Sequence, residues 1–245
     1  MTNDKIQEIY QQFQKDFSLT KMPELQIERT NSANPSAAVS NVKNNHVKLC
    51  VGLYFDNYIE KYSESILYHE FVHIWDDIIF FKNVTDDTKR NVLLFPFTEI
   101  HSAEVMLLKL LGISSRPIQV SRTKKIPLKS KYVTIEEFLK NERDELWFYS
   151  AHLRSANRLD FFWNAMSRIL YNIGYIVVLS NDLNLLGKAV TGFQFFDYIK
   201  TEIMEMYKLY LTQKPSEELC NNLTKLINSV LNKMITHSGR SDLFK

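Results

Sequence analysis

The chain has 245 residues, of which 45% are hydrophobic and 24% charged, and a formal net charge of +2. Those shares exclude a disordered or collagen-like chain, and so small a charge supplies no general attraction for nucleic acid. Six Gly and six Pro leave few residues for tight turns, which predicts a mainly helical α+β fold with one short sheet. The length suits one large domain or two small ones. Cys50 and Cys220 lie far apart in sequence and read as reduced, packed thiols rather than a disulfide framework. The polar start, Met1-Thr2-Asn3-Asp4-Lys5, lacks the apolar segment of a secretion signal. Runs such as Ile176–Leu179 are too short to span a bilayer. A cytoplasmic protein without membrane association is expected.

Ile6, Ile9, Tyr10 and Phe13 recur at helical spacing and predict a helix over 3–17. Leu25–Arg29 reads as a strand. The Asn- and Ser-rich stretch 30–45, with Pro35, reads as a loop. Val47, Leu49, Val51 and Leu53 alternate, which predicts a second strand over 46–54, a candidate edge for pairing with substrate. Residues 64–80 follow, with Ile66, Leu67, Phe71, Ile74, Trp75 and Ile78 at helical spacing and Ser63 as the expected N-cap.

That helix carries His69-Glu70-Phe71-Val72-His73, an H-E-x-x-H string. Positions i and i+4 lie on one helical face, so His69 and His73 can grip one metal ion together. Glu70 is placed to act as general base on a metal-activated water. Zinc suits imidazole and carboxylate donors and keeps an open position in catalytic sites. A strand leading into such a helix resembles the zincin metallopeptidases.

The resemblance implies a third protein ligand. The extended metzincin triad, H-E-x-x-H-x-x-G-x-x-H, is absent, because Ile74-Trp75-Asp76-Asp77-Ile78-Ile79 follows His73. The next candidates lie on a helix expected to open at Pro96 and close at Gly112. Taking Ile100, Ala103, Leu107, Leu110 and Leu111 as its core face, Glu99 falls about 55–60° from the centre and Glu104 about 80–85°. Glu99 is the expected ligand and Glu104 its competitor. A Glu on the second helix resembles the gluzincins. Within them, residues 40–112 are most similar to the small ImmA/IrrE-type bacterial metallopeptidases, with Val72 where a Gly is common and Ser102-Ala103 where an Ala-Asn/Asp pair is common. That likeness implies hydrolysis of a specific intracellular protein, such as a repressor. Asp77, four residues past His73, or Asp76 is expected to orient a ligand imidazole. Tyr149 and His152, with Tyr68 beside the motif, are the candidates for stabilising an oxyanion.

Phe81 to Thr88 reads as a turn, with Asp86 or Asp87 capping a short helix that ends near Pro96. Residues 113–133 read as a basic linker or surface loop between a zincin-like part, 1–112, and a helical part, 134–245. The linker carries Arg116, Arg122, Lys124, Lys125, Lys129 and Lys131 without an acid, and its sharper interpretation is a strip for an acidic protein segment or a phosphate backbone. Thr134 and Glu137 form a capping box that opens helicity running with little break to Leu170. A break is expected at 180–187, with helices near 193–213 and 216–236. The function expected is that of a zinc-dependent endopeptidase acting on a protein or peptide, with Zn2+ on His69, His73 and Glu99. The alternative is a non-catalytic interaction module.

Overall fold

The Thr2 hydroxyl accepts the Lys5 backbone N–H at 3.2 Å and so caps α1 (Asn3–Asp16). In the computed structural model, which describes residues 1–32, 37–40, 42–80, 87–114, 120–153, 159–179 and 194–238, the fold is mainly helical with two small sheets. Ile6, Ile9, Tyr10 and Phe13 form the buried stripe of α1. Phe13 makes edge contacts with Tyr68, Phe71 and Trp75 of the helix that carries the H-E-x-x-H string.

The larger sheet holds β1 (Glu24–Arg29), β2 (Ala37–Val39) and β3 (His46–Val51) in the order β1-β3-β2. β3 runs parallel to β1, with Leu25 opposite Val47 and Ile27 opposite Leu49, and antiparallel to β2. β3 is therefore central, and the edges are β1 and β2, the latter within the stretch expected as loop. β3 stops at Val51, so Leu53, expected in its apolar alternation, stands exposed beyond it.

α2 (Glu60–Phe80) starts earlier than expected. Ser63 lies inside it, buried, with its hydroxyl aimed at the Phe55 carbonyl at 3.4 Å rather than at a helix end. The turn expected from Phe81 lies outside the described residues over 81–86. α3 (Asp87–Leu111) is one helix with Pro96 in its interior, not a short helix and a second that opens at Pro96. A mid-helix proline removes one hydrogen bond and crowds the carbonyl four residues back. Here packing overrides that cost. Leu94, Phe97 and Ile100 are buried against the C-terminal helices, and the Thr224 hydroxyl lies 3.4 Å from the Val92 and Leu93 carbonyls. Gly112, at φ +70°, ends α3 as expected, with Ile113 N–H bonding the Leu108 carbonyl.

Within the expected linker, residues 125–134 form a hairpin of β4 (Lys125–Leu128) and β5 (Lys131–Thr134). Ile126 and Val133 pair across it and face the core, while the lysines point outward. The apolar alternation was hidden beneath the charge run. The Thr134–Glu137 capping box is present: Thr134 N–H donates to Glu137 Oε2 at 2.7 Å, and Glu137 N–H to Thr134 Oγ1 at 3.1 Å. α4 (Ile135–Leu153) and α5 (Leu159–Leu179) are separate helices; α6 (Gln194–Thr212) and α7 (Glu217–Ser238) follow. The break expected at 180–187 lies outside the described residues.

α3 ties the molecule together. Its first half packs with α5, α6 and α7, Val105 joins the core of α1, the sheet and α2, and Leu107, Leu110 and Leu111 join the hairpin and α4. Helices of the C-terminal part thus reach the same element that faces α2. None of the described helices is long and apolar enough to cross a membrane.

Candidate metal centre and cleft

The α2–α3 pairing, the most extensive between any two elements, brings one face of each helix to the floor of a cleft of about 400 Å³. One wall is β2, from Ala37 to Ser40, and Tyr171 of α5 stands at the other. His69, His73 and Glu99 meet on the floor, with ligand atoms all within 4.8 Å of one another. The two imidazoles converge through their Nε2 atoms, 3.1 Å apart. A tetrahedral ion at the usual metal–nitrogen length of about 2.0–2.1 Å requires its two nitrogens roughly 3.3 Å apart, so the pair is spaced for one ion.

The three donors differ in their surroundings, and among the described residues nothing bonds the buried His69 Nδ1. His73 Nδ1 lies 2.9 Å from Thr98 Oγ1; with the proton on Nδ1 donated to that oxygen, the Nε2 lone pair faces the cleft. Thr98 thus occupies, at His73, the place for which a carboxylate was expected. Asp76 instead faces His101 at 2.9 Å, and Asp77 lines the cleft. Glu99 Oε2 is a buried oxygen without a hydrogen-bond partner among the described residues, and burial is costly for such an atom unless a partner completes it. The competitor Glu104 is turned to the far side, where Tyr210 donates to its Oε2 at 2.6 Å.

The electrostatics of the cleft floor are set by burial. Burial pushes Glu70 up to about 8, with the nearby Glu99 carboxylate adding to it. Glu99 rises to about 7 through burial, opposed by a hydrogen bond from Tyr171 and by Arg168. Burial holds His73 down at about 4, and burial with the neighbouring His73 holds His69 well below the ordinary imidazole value. Two neutral imidazoles and two carboxyls that resist ionisation form the donor set a divalent cation would relieve.

Tyr171 was not anticipated. Its hydroxyl lies 3.4 Å from His69 Nε2, and burial raises its pKa well above the ordinary phenol value, so it stays a neutral donor. Gly174 allows this approach: a Cβ there would meet the Ile100 carbonyl oxygen of α3 at 2.4 Å. Arg168, one turn before Tyr171, lies 5.5 Å from its ring and bonds Glu142 at 3.2 Å. A readable signal existed, since Arg168, Tyr171 and Tyr175 recur at helical spacing on a largely apolar helix. Tyr149, an expected candidate, meets Phe148 edge-on and does not line the cleft; the side chain of His152 lies outside the described residues.

Glu70 sits between the ligands and β2, where its Oε2 accepts the Val39 backbone N–H at 3.1 Å. Comparison with known proteins gave no matching family model, no matching curated protein and no matching solved structure.

Proposed function

We propose that the chain is a zinc-dependent endopeptidase of gluzincin type that hydrolyses peptide bonds in an intracellular protein target, and that it acts in the cytoplasm. The observation that carries this is the convergence of His69, His73 and Glu99 within 4.8 Å on the floor of an open cleft that also holds Glu70 and Tyr171. Two imidazoles and one carboxylate are a catalytic donor set, because they leave a coordination position free, whereas structural zinc sites are closed by four protein ligands. Zinc, when bound, polarises the scissile carbonyl and acidifies the attacking water.

The remaining steps belong to the chain. The Glu70 carboxylate takes the proton of the attacking water and later delivers it to the leaving amine. The Tyr171 phenol, kept protonated by burial, donates to the oxygen that becomes negative as the carbonyl is attacked. The edge strand β2 receives the peptide by backbone pairing along one wall of the cleft. The likeness to the ImmA/IrrE type covers residues 40–112, from the strand before the motif to Glu99 and the apolar run that follows it.

Incubation of zinc-loaded protein with a mixed-sequence peptide library tests the proposal. Cleavage is expected from the wild type and not from Glu70→Gln, which preserves shape and removes the proton acceptor. Equal cleavage by both proteins would overturn it.

A further inference from the structure

The two backbone sides of β2 are not alike. Ser40 N–H donates to the Lys48 carbonyl at 2.8 Å, and Ala38 stands opposite Cys50 in the antiparallel register. By alternation, the backbone groups of Ala38 and Ser40 face β3, while those of Ala37 and Val39 face away from it. Ala37 and Val39 both line the cleft. Among the described residues they are the backbone donors with which an extended peptide would pair along this edge. Yet the Val39 N–H already bonds Glu70 Oε2 at 3.1 Å. One N–H cannot make two well-aligned bonds of full strength. A peptide added to β2 and the resting Glu70 therefore compete for the same donor.

We propose that the Val39 amide is a positioning group shared between base and substrate. At rest it holds the Glu70 carboxylate against β2. An extended peptide takes it over through one of its own carbonyls, and Glu70 is then free to turn to the attacking water. The bond between Val39 and Glu70 makes the base respond to the length of the bound chain, so a bond in a long extended segment is cut faster than the same bond in a short peptide. This inference rests on the peptidase proposal above and adds a form of selection that the ligand set does not supply.

The test uses a peptide of about ten residues recovered as cleaved from a mixed library, together with its truncation to the two residues flanking the scissile bond. In the wild type, kcat for the long peptide is expected to exceed that for the truncation by about tenfold or more, the size set by one hydrogen bond to a charged group. Val39→Pro removes the donor on the side of an edge strand where proline is tolerated. It should keep its zinc, raise kcat for the truncation to that for the long peptide, and raise KM for the long peptide. A uniform fall in kcat for both would mean that Val39 merely supports Glu70, and would overturn the proposal. A second handle leaves the protein unchanged: replacing each flanking carbonyl of the long peptide by CH2 in turn should, at one position, bring kcat down to that of the truncation. A wild-type kcat independent of peptide length, or no such position, overturns the inference alone. Failure of zinc-loaded wild type to cut any peptide overturns the peptidase proposal and this inference with it.

Discussion

Gly174→Ala perturbs the site without touching it. The added methyl would lie 2.4 Å from the Ile100 carbonyl oxygen and 2.9 Å from Ala103 Cβ and Glu104 N, against 3.4 Å for the onset of ordinary contact. Two of those three atoms are backbone and cannot rotate away, so α5 must retreat from α3 by about 1 Å. Overpacking of this kind costs about 1–3 kcal/mol. The better helix propensity of Ala offsets up to about 1 kcal/mol of it. The net loss, about 1–2 kcal/mol, corresponds to a fall in melting temperature of roughly 2–8 °C for a chain of this size. The functional effect should be larger than the stability effect. Tyr171 lies one turn before Gly174, and its hydroxyl reaches His69 Nε2 at 3.4 Å, so a retreat of about 1 Å removes it from the oxyanion position and should lower kcat by about 10²-fold. Zinc content should stay unchanged, because His69, His73 and Glu99 are all on α2 and α3. Calorimetry, elemental analysis and peptide turnover on the one variant provide the three readouts. A variant with wild-type melting temperature and wild-type kcat would refute the reasoning that the α3–α5 approach sets the position of Tyr171.

Other perturbations separate the groups on the floor of the cleft. Glu99→Ala should weaken zinc binding strongly in a metal titration, whereas Glu104→Ala should leave affinity unchanged and lower thermal stability, since it removes the carboxylate that accepts the buried Tyr210 hydroxyl. Thr98→Val removes the acceptor from His73 Nδ1 and should reduce zinc affinity by about 10–100-fold with the fold intact. The metal-free protein should lose thermal stability as pH rises from 6.5 to 8. Glu70 and Glu99 are raised in the fold, to about 8 and about 7 from 4.5, so their contribution is present at low pH and is lost as pH rises through those values. The lowered His69 and His73 act in the opposite sense, losing stability as pH falls below 6.5, and leave the carboxyls alone above it. Zinc should abolish the fall between pH 6.5 and 8; a metal-free melting temperature that rises across that window would contradict the assigned burial.

What the sequence disclosed was whatever depends on short-range spacing. His69 and His73 share a face because helices repeat every 3.6 residues, and the Thr134–Glu137 box is a local bond pattern. Glu99 was separated from Glu104 by the helical wheel despite an incorrect start at Pro96, since the helix continues through the proline with nearly the same phase. Long-range features were not legible. Three residues of strand, Ala37–Val39, give too little alternation to be seen among Asn and Ser. The hairpin was masked because its buried positions, Ile126 and Val133, are few beside the lysines. Tyr171 is 102 residues from His69, and the close α3–α5 approach at Gly174 brings them together. Thr98 and Val39 act through one bond each, for which residue type alone gives no sign.

The proposed function depends on His69, His73 and Glu99 holding a catalytic zinc ion. Elemental analysis of purified protein after zinc loading and removal of excess metal tests it most directly. About one zinc per chain is expected in the wild type, since the three donors make a single site, and none in the His69→Ala/His73→Ala double variant. A double variant that retains the wild-type zinc content would contradict it.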